Sequence, residues 1–250
     1  MNETVPAGFF TLGVPPEKYH LPHPRLGLPV ILLIRRILLR AFELLREQKF
    51  QLAASSEDQV TAALRSTIEN DLRQSGSVGG FNRRTYDTVV RQGQCANFNG
   101  TRLTKTPDLC FKLRHDEGES RPVLSEHDAL FIECKPVDAT HSAGGKYCDA
   151  GLCRFVNGDY AWAMEEAMML AYARDGRTIA MHLLPAMSEP PRMKILQTEQ
   201  LPTPSTAAGA TATPFAEAIH ASRHRRDIPW PDGKGGATPI DVFHVWCLCG

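Results

Sequence analysis

Apolar residues recur at helical spacing over roughly 29–50, where Ile31, Ile34, Leu38, Phe42 and Leu45 share one side and Arg36, Arg40, Glu43 and Glu47 the other. The pattern predicts an amphipathic helix, opened by Pro29 in its first turn. Such a stripe suits burial in a core, and a partner or dimer surface is its other use. A second helix is announced by Ser56 with Gln59 three residues on, a capping-box pair. Val60, Leu64, Ile68 and Leu72 then form its stripe, to about Gln74, before a Gly/Ser turn over 75–80. The segments Thr85 to Val90, Asp108 to Leu113 and Ala129 to Lys135 read as strands. The last two are joined by a long, polar, hairpin-type connection over 114–128. Asp159 is placed to cap a helix from Tyr160 to about Arg174, with Gly176 beyond its end. Thr178 to Leu184 reads as an apolar strand, and 185–213, rich in Pro, Thr and Ala, as a flexible excursion. Thr213-Pro214 opens a short helix to about Arg223, and Ile240 to Leu248 closes the chain as a strand. No internal repeat is visible. Helices and strands alternate irregularly, which predicts a mixed α/β class, with an N-terminal helical arm (1–54) ahead of the main domain (55–250).

The 250 residues suffice for one sizeable core. Lys plus Arg equals Asp plus Glu, so the formal net charge is zero; this argues against tight non-specific nucleic-acid binding without excluding a local basic groove. Seven cysteines, an odd number partly in strand-like segments, suit reduced thiols better than a disulfide framework. The apolar run 26–34 is short and meets Arg35-Arg36, so no membrane span or targeting peptide is expected, and the predicted location is cytoplasmic.

The chemistry concentrates in Ala129-Leu130-Phe131-Ile132-Glu133-Cys134-Lys135. In a strand, positions two apart share a face, so Glu133 and Lys135 point one way while Ile132 and Cys134 point the other. The earlier strand begins at Pro107-Asp108. If the two pair as a hairpin, Asp108 comes to lie near Glu133, and two carboxylates converge beside a lysine. Such a cluster suits phosphodiester hydrolysis, because magnesium takes oxygen ligands and keeps several waters, and a lysine can orient or deprotonate the attacking water and stabilise charge at phosphorus.

Pro107-Asp108 followed by Glu133-Cys134-Lys135 resembles the motif of the PD-(D/E)XK nuclease superfamily, which includes many restriction endonucleases. The resemblance spans about 55–185. It implies a restriction-endonuclease-like core of mixed sheet flanked by helices, Mg²⁺ as cofactor with Mn²⁺ as substitute, and nucleic acid as substrate, DNA ahead of RNA. It implies metal binding by Asp108 and Glu133, with Lys135 at the attacking water. The family places a further acid on the preceding helix; at about 100° per residue, Glu57 falls on the Leu64/Ile68 stripe and Glu69 does not, so Glu57 is taken as a third metal-site residue. An acid in a first turn also complements the helix dipole. Lys146, Tyr147, Arg154 and Tyr160 occupy the region where members carry substrate-contacting side chains, and the stretch from Tyr147 to Tyr160 resembles a segment of bacterial defence-type members.

Other signals carry less. His141, Cys148 and Cys153 lack the spacing of a zinc site. The basic cluster His220, Arg223, His224, Arg225 and Arg226 ends the last expected helix, where cations suit the dipole or a phosphate backbone. Gly233 to Gly236 lacks the Walker pattern. The sequence reading is thus an Mg²⁺-dependent endonuclease, regulated by a protein partner or by self-association and acting in bacterial defence against phage or plasmid. The rivals are a catalytically silent binding module of the same fold and a repair or junction-resolving nuclease.

Overall fold

The computed structural model describes residues 21–82, 87–112, 125–206, 218–230 and 235–249. Its centre is one seven-stranded mixed sheet, made of β1 (Val90–Arg91), β2 (Leu109–Phe111), β3 (Leu130–Val137), β4 (Glu166–Ala173), β5 (Thr198–Thr206), β6 (Ala218–His224) and β7 (Ile240–Leu248), in the order β1-β2-β3-β4-β7-β6-β5. The middle pairs β3–β4 and β4–β7 are parallel and the outer pairs antiparallel. Helices cover both faces, as parallel strands require.

On one face lie α1 (Leu28–Glu47) and α2 (Glu57–Thr67), the latter continuing through a wide turn, Ile68–Leu72, to Arg73–Ser75. The α1 stripe of Ile31, Ile34, Leu38, Phe42 and Leu45 is buried in the same cluster as Val60, Leu64, Ile68, Ile132 and Leu170. The N-terminal helix is therefore part of the sheet's own core rather than an arm standing off it. Ser56 caps α2: its side chain accepts from Gln59 N, and the Gln59 side chain accepts from Ser56 N. On the other face, α3 (Ala143–Leu152, a wide π-type helix running into Cys153–Val156) packs Tyr147, Cys148 and Leu152 against Phe131, Met169 and Val242. All seven cysteines are free thiols.

Several sequence expectations require correction. The expected helix over 160–174 is replaced by β4, whose eight residues are all buried. Burial between two parallel neighbours overrides the helix preference of Glu-Ala-Met-Met-Leu-Ala. The expected strand from Thr178 is helical: the Thr178 hydroxyl accepts from Met181 N at 3.2 Å and caps α4 (Ile179–Leu183, continuing as Leu184–Met187). The segment read as a flexible excursion contains α5 (Pro190–Ile195) and edge strand β5, while 207–217 lies outside the described residues. The helix expected up to Arg223 is strand β6, so the basic cluster does not sit at a helix end. Of the strand expected at 85–90, Val90 opens β1, and 83–86 are not described. Most of the 114–128 connection is likewise outside the described residues.

Candidate active site

β2 and β3 pair with Leu109 opposite Ile132, so the next step of the antiparallel register sets Asp108 beside Glu133. Asp108 Oδ2 accepts the backbone N–H of Cys134 at 2.7 Å, which pins the two strand ends together. The neighbours of Glu133 on β3, Ile132 and Cys134, enter the core against α1 and α2. Glu133 and Lys135 therefore project to the opposite face, beneath α3. The first turn of α2 brings Glu57 to the same place.

Lys135 Nζ is the focus. It lies 2.6 Å from Glu57 Oε1, 2.7 Å from Glu133 Oε1 and 3.5 Å from Asp108 Oδ2, and it also donates to Cys134 O at 2.8 Å. Three carboxylates thus converge on one ammonium whose side chain is only 4% exposed. Burial works to lower the Lys135 pKa, but Glu133 and Asp108 more than reverse this and leave it raised, so the amine remains charged. Burial raises the Asp108 pKa from its ordinary value. Burial first, and the Asp108 charge second, push Glu133 up to about 7.

Glu133 is fully buried and heavily partnered. Arg154 NH1 stands 2.9 Å from its Oε1, and the Tyr160 hydroxyl donates to its Oε2. Burial raises the Tyr160 pKa, which keeps that hydroxyl protonated and able to donate. Arg154 and Tyr160 were expected to contact substrate; the structure has them hold the carboxylate, although the Arg154 side chain is still 39% exposed and can face a phosphate as well. Lys146 Nζ sits 3.3 Å from Glu57 Oε2, on the rim of the cluster. Tyr147 is the exception. It is fully buried, its hydroxyl bonds His244 Nδ1 at 2.9 Å and its ring packs on Trp246, so the expectation that it contacts substrate is corrected. Glu69 pairs with Arg73 and accepts Val89 N, apart from the cluster.

One contributor escaped the sequence reading. Gly151 on α3 lies directly over the site: a Cβ there would sit 2.8 Å from Met169 Cε, 3.3 Å from Lys135 Cγ and 3.6 Å from Glu133 Cγ. A glycine inside a helix costs stability, and here it lets the helix approach the two charged side chains.

A hard divalent cation fits the donors. Asp108 and Glu133 supply oxygen ligands, and magnesium commonly takes one or two carboxylates along with waters and substrate phosphate. Glu133 Oε1 is buried with no well-directed hydrogen bond despite its two cationic neighbours, an acceptor suited to a cation. Among the described residues, no three His, Cys, Asp or Glu side chains are grouped so as to hold a metal by themselves. The third acid, Glu57, is engaged with Lys135 and Lys146.

Comparison with protein-family models, with curated proteins and with solved structures gives no match. The class that fold and geometry define is a mixed α/β protein with a seven-stranded sheet flanked by helices. Among the described residues, no helix is long and apolar enough to cross a membrane.

Proposed function

We propose that this chain is a metal-dependent nuclease of the PD-(D/E)XK type with a restriction-endonuclease-like core, hydrolysing phosphodiester bonds of nucleic acid, DNA ahead of RNA. The observation that carries this reading is the convergence of Glu57, Asp108 and Glu133 within 3.5 Å of Lys135 Nζ. Asp108 and Glu133 would hold Mg²⁺, or Mn²⁺ in its place. When bound, the ion supplies Lewis-acid polarisation of the phosphoryl oxygen and a water of lowered pKa.

The chain's own groups do the rest. Lys135, charged and locked by carboxylates, orients the attacking water through its N–H groups and faces the negative charge that grows on the phosphoryl oxygens. As an ammonium it has no lone pair with which to take the water's proton, so its role is orientation and charge stabilisation. Glu57 aims Lys135. Tyr160 and Arg154 fix the Glu133 carboxylate. Lys146 and the exposed side of Arg154 offer cations to the substrate backbone.

Cleavage of supercoiled plasmid, single-stranded DNA and RNA with Mg²⁺ or Mn²⁺ tests the reading. Asp108→Asn and Glu133→Gln are each expected to lower the rate by about 10²-fold or more. Absence of cleavage on every substrate, or variants that cleave like wild type, rejects it. A non-catalytic binding module of the same fold is the second reading, favoured by an ammonium at the focus of the acids; it predicts nucleic-acid binding without turnover. A defence role, a cytoplasmic setting and control by a protein partner or by self-association belong to the same proposal by analogy.

Metal affinity should depend on pH. Glu133 binds its proton up to about pH 7, and a proton competes with a metal for the same oxygens. Apparent Mn²⁺ affinity, measured calorimetrically, is expected to rise nearly tenfold per pH unit between about 5.5 and 6.5 and to flatten above 7.5. An affinity already flat from pH 5.5 removes Glu133 from the ligand set.

A further inference from the structure

A cleft with a volume of about 450 Å³ opens between the loop around Phe98 and the segments bearing Trp162 and Trp230. We propose that it is a nucleobase-binding subsite that accepts one unpaired base of the strand presented to Asp108 and Glu133. Nucleic acid as the ligand rests on the nuclease reading above; the cleft itself rests on separate residues.

The cleft is aromatic and pre-formed. Phe98 and Trp162 are half-buried against Ile228 and Trp230. Trp162 Nε1 donates to Ala96 O at 3.1 Å, and the His127 ring packs on Trp162 with centroids 4.5 Å apart. Phe98 is held from behind by Gly158, whose positive φ of 68° and missing side chain permit the approach: a Cβ there would stand 2.6 Å from Ile228 Cδ1 and 3.0 Å from Phe98 Cδ1. The loop's ends are closed by reciprocal backbone bonds between Cys95 and Lys105. Aromatic faces fixed in this way stack any base, since every base has a π-face.

Charge decides the occupant. Arg102, whose backbone pairs with the cleft residue Asn97, and Lys105 share one carboxylate, Asp159, at 3.1 and 2.6 Å, so the loop that carries Phe98 brings two cations to one paired acid, and the Arg102 side chain is 63% exposed. An apolar peptide would gain nothing from those cations, whereas a nucleotide presents a base to the aromatic rings and a phosphate to the loop's cations. Chain continuity ties the cleft to the chemistry. Lys105 leads through Pro107 into Asp108, and Trp162 follows two residues after Tyr160, which donates to Glu133. Bases stacked inside a duplex cannot enter such a cleft, so the substrate is single-stranded at this position or gives up an extruded nucleotide.

Binding separated from turnover tests the proposal. Fluorescence anisotropy of the full chain with a labelled mixed-sequence 12-nucleotide DNA strand, and with its duplex, in EDTA is expected to show tighter binding of the single strand. Phe98→Ala should weaken single-strand binding by about 5- to 150-fold, the range one stacked base carries, while Phe98→Trp retains it. A circular dichroism melt confirms that both variants fold, and Arg102→Gln, at an exposed position of the same loop, is expected to weaken single-strand binding and gives a second reading if Phe98→Ala does not fold. Equal binding of both DNA forms, no binding at all, or a folded Phe98→Ala that binds as wild type overturns the subsite. Metal-dependent cleavage alongside any of these leaves the nuclease reading standing; Phe98-dependent binding with no cleavage leaves the subsite standing and removes turnover.

Discussion

Lys135→Met should abolish metal-dependent cleavage and, at pH 8, destabilise the protein by about 3–5 kcal/mol, the cost of removing one partner from a buried ionic cluster. The side chain is nearly isosteric, so loss of packing contributes little. What is lost is the cation that, among the described residues, stands within 3.5 Å of all three acids, Glu57, Asp108 and Glu133. The destabilisation should shrink as pH falls. The folded-state pKa of Glu133 lies near 7, above its ordinary value of 4.5, and removing the ammonium raises it further. A carboxylate of this kind binds more protons folded than unfolded between those two values, so folding gains stability as pH falls through that window. At pH 5.5 the variant's deficit against wild type should therefore be clearly smaller than at pH 8. Urea titrations at both pH values measure this. Millimolar Ca²⁺ or Mn²⁺ should restore more stability to the variant than to wild type, because a ligand that binds only the folded state stabilises it by mass action. A variant as stable as wild type at pH 8 would show that the ammonium does not neutralise the acids.

Site and fold were unequally legible in the sequence. The β3 end was readable because a period of two places Glu133 and Lys135 on one face and Ile132 and Cys134 on the other, whatever surrounds the strand. Glu57 was readable because a capping box fixes the start of α2, and a fixed start fixes the helical phase. Strand β4 was not: its residues favour helix, and only two parallel neighbours make Glu166–Ala173 a strand. Strand β6 was hidden for a different reason. Ile219 and Ala221 face the core on one side, but the other buried face is polar: Ser222 Oγ bonds His224 Nε2 at 2.7 Å and His244 Nε2 at 2.8 Å, and His224 Nδ1 donates to Leu196 O at 2.8 Å. A hydrophobic period cannot report a face made of hydrogen bonds. That network also claims Tyr147. Lys146 and Tyr147 are adjacent in sequence, but a helix turns successive side chains about 100° apart; one meets Glu57 and the other His244.

The same difficulty concealed Arg226, whose loss should be the largest structural defect available outside the carboxylate cluster. Read as one of several cations at a helix end, it is instead 3% exposed beyond strand β6. Its guanidinium donates to Thr238 O at 2.7 Å, Met164 O at 2.9 Å, Ala161 O at 3.1 Å and Trp162 O at 3.3 Å. Burial lowers its pKa to about 10, so it stays charged at neutral pH. Three of those carbonyls belong to the turn after Tyr160, where Ala161 holds a positive φ of 55°, a strained conformation for a side chain that must be held by its surroundings. Arg226→Met takes this donor from the Thr238, Trp162 and Met164 carbonyls, at about 1–3 kcal/mol for each group, non-additively, while Ala161 O keeps the Met164 N–H. The expected loss is about 4 kcal/mol, a large part of the 5–15 kcal/mol of a typical domain. The urea midpoint should fall with little change in slope. Arg226→Lys should recover only part of this, since a single ammonium cannot reproduce a planar fork aimed at four oxygens. Because Tyr160 donates to Glu133 and Trp162 lines the aromatic cleft, cleavage and single-strand binding should both decline in folded Arg226→Lys. A midpoint unchanged in Arg226→Met would mean that the turn is held by its own packing, and that the route from Arg226 to the carboxylate centre carries no energy.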